Sequence, residues 1–76
     1  METTREQTTG AERRAALAML NAVAETVRDA GRIPSGHVYA MLVGRISLDG
    51  YEKMLGILQR AGLIHRTTTH ELVWIG

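Results

Sequence analysis

Residues 47–62, Ser47-Leu48-Asp49-Gly50-Tyr51-Glu52-Lys53-Met54-Leu55-Gly56-Ile57-Leu58-Gln59-Arg60-Ala61-Gly62, carry their own start and stop signals for a helix. The Ser47 hydroxyl is placed to accept from a free amide of the first turn. Gly62 can take the left-handed conformation that ends the helix. Between them Leu48, Tyr51, Met54, Leu55 and Leu58 recur at spacings of three and four, so they share one face, and that face must be buried. The opposite face carries Asp49, Glu52, Lys53, Gly56, Gln59 and Arg60 and is left for solvent or a partner.

Upstream, Thr9 and Glu12 have the spacing of a capping box, and a helix is predicted from Gly10 to Ala30 with Gly31 as its stop. Leu17, Leu20, Val23, Ala24 and Val27 form its core stripe at about 100° per residue. Ala11, Ala15, Ala18 and Ala22 form a second stripe on nearly the opposite side. Alanine is the best helix former and fills exposed positions, yet small side chains also allow a second helix to approach closely. Both readings stand at this point. In Gly31-Arg32-Ile33-Pro34 the proline drives Ile33 toward extended backbone, giving a connector with one strand-like step. Ser35 is predicted to cap a short helix over Gly36 to Val43, ended by Gly44, with Val38, Met41 and Leu42 inward and His37 and Tyr39 nearer the surface. Arg45-Ile46-Ser47 is a tight turn into the helix quoted above.

After Gly62 the period changes to alternation. Leu63 to Thr67 and His70 to Ile75 read as two strands around Thr68-Thr69. The turn lacks Asn-Gly or Asp-Gly, which predicts a loose tip. Centring on Thr68-Thr69 sets Arg66 opposite Glu71 and Ile64 opposite Val73, and places His65 and His70 diagonally on one face. Leu72-Val73-Trp74-Ile75 is apolar on both faces, so either a second subunit covers one face or Trp74 caps the chain's own core against Leu63.

The fold class expected is mainly α with a C-terminal β-hairpin, one domain over residues 9–76 after a mobile polar tail, residues 1–8. Seventy-six residues hold a small core, and such chains often gain stability from a second copy. The absence of cysteine removes disulfides and thiolate zinc sites. No apolar run approaches the roughly 20 residues of a membrane span, and the polar start lacks an apolar leader, so a cytoplasmic protein is expected. A net charge of +1 argues against strong general attraction to polyanions. His37, His65 and His70 have no carboxylate or thiolate of suitable spacing, so no metal is expected. No nucleophile arrangement, phosphate loop or inward carboxylate pair points to an enzyme or a cofactor.

The order helix, connector, helix, turn, helix, hairpin resembles the winged helix-turn-helix family. The resemblance covers about residues 10–75 and is carried by Ile46-Ser47-Leu48, Met54-Leu55, Leu58 and Arg60-Ala61-Gly62-Leu63-Ile64. It implies duplex DNA binding, with the third helix in the major groove and the hairpin, or wing, over the backbone. The positions matching groove contacts are Asp49, Gly50, Glu52, Lys53 and Gly56, which carry two acids against one base. Arg32, Arg45, Arg66 and the Thr67, Thr68 and Thr69 hydroxyls would form a sparse phosphate-contacting rim. The expectation is a DNA-binding or transcription-regulatory module with weak or partner-assisted binding. The alternative is a winged-helix protein-interaction or assembly module without nucleic acid. A homodimer is expected through Ala11, Ala15, Ala18, Met19 and Ala22, with Trp74 contributing.

Overall fold

The computed structural model describes residues 10–76, so the tail over residues 1–8 and the Thr9 cap lie outside the described residues. Three helices and three short strands follow in the order α1 (Gly10–Ala30), β1 (Arg32–Pro34), α2 (Ser35–Ala40), α3 (Leu48–Arg60), β2 (Ile64–Arg66) and β3 (Glu71–Trp74). The strands form one antiparallel sheet in the order β1-β3-β2. The strand-like step expected after Gly31 is thus a paired edge strand, and the hairpin gains a third member.

The helix limits follow from local chemistry. Gly31 and Gly62 sit at φ 75° and 76°, a region costly for any side chain, and stop α1 and α3. Ser47 is extended, and its Oγ accepts from the Gly50 amide at 3.0 Å. The core is Val23, Val27, Val38, Leu42, Tyr51, Leu55, Leu58, Ile64 and Leu72, drawn from all three helices and both hairpin strands. Met54, Leu20 and Ala24 are only half-buried at its edge. Two residues of α1 and α3 assigned inward by periodicity are exposed. Leu17 is 54% exposed because α1 runs past the core before Val23 and Val27 engage it, and Leu48 is 56% exposed because α3 reaches the core only at Tyr51.

The second helix differs most from expectation. Pro34 occupies the cap position with no side-chain bond, and Ser35 is the first helical residue and is buried. The helix closes at Ala40, and residues 41–45 continue as turns, with the Leu42 amide bonded to the Tyr39 carbonyl at 2.9 Å and Arg45 to Leu42 at 2.9 Å. Tighter turns rotate Met41 outward, to 52% exposure, while Leu42 stays in the core. Tyr39 is half-buried, its ring 5.1 Å from Tyr51, and His37 is exposed.

Ser35 has a different task. The Tyr51 hydroxyl donates to the Ser35 carbonyl at 3.0 Å and lies 3.1 Å from Ser35 Oγ. With the phenolic proton used on the carbonyl, the serine hydroxyl donates in return, so every polar atom of this buried pair is satisfied. Burial still pushes the Tyr51 hydroxyl pKa up, against the lowering effect of the Ser35 bond. The pair joins the start of α2 to α3. The Ser35 amide donates to the His70 carbonyl at 2.8 Å, which ties the same point to the hairpin.

The hairpin register is one residue away from that expected. Ile64 pairs with Trp74, His65 with Val73 and Arg66 with Leu72. The cause is His70 at φ 64°, which makes a three-residue connection over 68–70. The connection is closed by the His70 amide on the Thr67 carbonyl at 3.0 Å and the Thr67 amide on the Glu71 carbonyl at 2.8 Å, so the tip is hydrogen-bonded rather than loose. A one-residue shift reverses which side chains share a face. Ile33, Ile64, Arg66, Leu72 and Trp74 now share the core side, and Arg32, His65, Glu71 and Val73 the other. His65 and His70 no longer form a diagonal pair, and the β3 alternation places Trp74 against the chain's own core.

Candidate nucleic-acid interface

The register determines the electrostatics of the surface formed by α3 and the hairpin. Turned to the core side at the turn end of the hairpin, next to Thr67, Arg66 reaches α3 instead of Glu71. Its Nη1 and Nη2 donate to the two carboxylate oxygens of Glu52 at 2.5 and 3.0 Å. Both partners remain wet, with side-chain exposures of 26% for Arg66 and 42% for Glu52. The Arg66 bonds hold the Glu52 carboxyl below its usual pKa, and Glu52 raises that of Arg66. Arg66 Nε is buried without a partner, so the clamp leaves one donor unsatisfied.

Glu71, released from Arg66, accepts instead from Arg32 Nε at 2.6 Å across the β1–β3 pair. Lys53 lies 3.4 Å from Asp49 one turn back along α3. Three of the four basic residues singled out in the sequence, Arg32, Lys53 and Arg66, therefore each face a carboxylate. Arg45, in the turn before α3, and Arg60, at its end, form no ion pair among the described residues. Arg60 is the cation that the contact assignment omitted. Its signal was present, since positions 53, 56 and 60 lie on one helical face.

Along this face runs an open depression of about 430 Å³ lined by Asp49, Glu52, Lys53, Gly56, Ile57 and Arg60. The two glycines of α3 differ in kind, and only Gly56 lines the depression. A Cβ at Gly50 would lie 3.0 Å from Ile46 Cγ1 and 3.3 Å from Ser47 Oγ, so a side chain there would push Ile46 and Ser47 aside by a few tenths of an ångström where α3 meets the preceding turn. A Cβ at Gly56 would meet only Arg60 Nη1 at 3.8 Å, an ordinary contact. Internal packing does not require glycine at position 56, although glycine weakens a helix by about 1 kcal/mol relative to alanine. Its effect is to keep the middle of the exposed face low.

The threonines divide similarly. Thr67 Oγ1 accepts from the Glu71 amide at 3.0 Å and lies 3.0 Å from Thr69 Oγ1, so Thr67 shapes the hairpin end, while Thr68 and Thr69 are exposed at its tip. Of the assembly candidates, Ala11, Ala15, Ala18 and Ala22 are exposed along α1 and Met19 is half-buried. Trp74 lies apart from them, half-buried beside Asn21, Ala24, Glu25 and Arg28. Among the described residues no group of three or more His, Asp or Glu could hold a metal ion, and no helix is long and apolar enough to cross a membrane. No family model, curated protein or solved structure matches the chain.

Proposed function

We propose that the chain is a winged helix-turn-helix module that binds duplex DNA in a transcription-regulatory role, using α3 and the hairpin. The observation that carries this reading is the placement of the two elements: Arg66 of β2 reaches Glu52 of α3, so the hairpin lies beside the exposed polar face of α3. A helix and a neighbouring hairpin held at one angle can meet a groove and its flanking backbone together. Gly56 lowers the centre of that face, and Lys53 and Arg60 supply cations along it, with Arg45 in the turn before α3. The acid pairing keeps the surface only weakly attractive to phosphate, so binding is weak and steeply salt-dependent. Fluorescence anisotropy on a labelled random duplex tests this. Arg45→Ala and Arg60→Ala flatten the salt dependence, Lys53→Ala changes base preference, and a slope unchanged in both arginine variants would reject the assignment.

A second reading, a protein-interaction or assembly module without nucleic acid, is favoured by one specific observation. Arg32, Lys53 and Arg66 are each paired with an acid. Complete absence of duplex binding at low salt would favour it.

A further inference from the structure

α1 continues beyond what the core requires. None of residues 10–18 is buried, and the buried positions of the helix are Val23 and Val27 alone. These nine residues are about two and a half helical turns, a length that is marginal for a helix without tertiary contacts. The side of α1 away from the core carries Ala11, Ala15, Ala18 and Ala22. Beside it lie two depressions of about 180 and 290 Å³ that share Ala22 and Leu42, bordered also by Met19, Met41 and Arg45. Met41 and Val43 are exposed along the same turn.

We propose that this groove is the interface with a second copy of the chain, α1 packing antiparallel to its counterpart about a two-fold axis. The proposal is independent of whether α3 meets DNA. Charge supplies the orientation. Arg14 and Glu25 are eleven residues apart, which at about 100° per residue places them within roughly 20° of each other on one edge of the alanine face. A two-fold axis across the helices brings that edge against itself with direction reversed, so Arg14 meets Glu25 of the partner subunit twice. A parallel pair would set that edge against the partner's opposite edge and form neither ion pair. Glu25 is weakly engaged at present, 4.0 Å from the exposed Arg28. The axis then falls beside Met19, midway between Arg14 and Glu25. Area supplies the depth: a stable interface buries on the order of 1,000 Å² or more, beyond what four alanines offer, so the partner helix must also cover Met19 and Met41.

Sedimentation equilibrium at micromolar concentration tests the proposal. The wild-type mass is expected at twice the 8.4 kDa of one chain. Arg14→Glu and Glu25→Arg should each raise the dimer dissociation constant about fivefold, as expected for two lost exposed ion pairs. The double variant, which restores the pairing with signs exchanged, should return it to the wild-type value. Ala18→Glu keeps high helix propensity; it should give the single-chain mass with helical circular dichroism retained. A monomeric wild type, an Ala18→Glu dimer, or a double variant no tighter than either single one would overturn the proposal.

Discussion

Replacing Glu52 by glutamine should move stability and DNA affinity in opposite directions. The Glu52–Arg66 pair is bidentate, at 2.5 and 3.0 Å, and half-exposed. Exposed ion pairs contribute about 0.2–1 kcal/mol, and the two-bond geometry places this one near the upper end. Glutamine keeps one acceptor oxygen and loses the charge, so the cost is about 0.5–1 kcal/mol, which for a domain of this size lowers Tm by about 3–6 °C. The same change frees the Arg66 guanidinium and removes a negative charge from the face proposed to meet DNA. One additional phosphate contact steepens the log–log salt slope by about 0.9 and strengthens binding roughly fivefold near 0.1 M salt. Thermal unfolding and anisotropy on one preparation measure both effects. A lower Tm with unchanged or weaker binding would refute the reasoning, because Arg66 would then lie outside the DNA surface or Glu52 would itself contact the DNA.

The same pair predicts a pH dependence. Glu52 is lowered from 4.5 in the folded chain, so its stabilisation is present above 4.5 and is lost as pH falls through the lowered value. The stability gap between wild type and Glu52→Gln in urea unfolding should therefore hold from pH 7 to 5 and close in acid; a gap that widens in acid would contradict the sign. Tyr51→Phe removes the donor to the buried Ser35 carbonyl and should cost about 1–2 kcal/mol by urea unfolding. Gly56→Ala should stabilise the free protein by up to about 1 kcal/mol. It should also weaken duplex binding in the anisotropy assay, because the added methyl raises the floor of the α3 depression.

The end of α1 and both limits of α3 were legible because serine and glycine punctuation acts within one turn of the residues concerned. What escaped the sequence depended on contacts across the chain. A serine before a short helix reads as a cap whether its hydroxyl bonds the first turn or, as with Ser35, a tyrosine 16 residues on. The hairpin register depended on His70 taking a left-handed conformation that glycine or asparagine would have signalled. Once the register moved by one, Arg66 exchanged Glu71 for Glu52, and Arg32 took Glu71. The residues of the candidate surface were therefore legible, but their pairing was not, and pairing decides how much positive charge DNA would meet.

Amide chemical-shift mapping of the folded chain against a random duplex at low salt provides the most direct test. Shifts should concentrate at Arg45, along Asp49 to Arg60 and at Arg66 to His70, and should fade as salt rises. No shift at low salt, or shifts confined to the α1 groove around Ala18 and Met41, would contradict DNA binding through α3 and the hairpin.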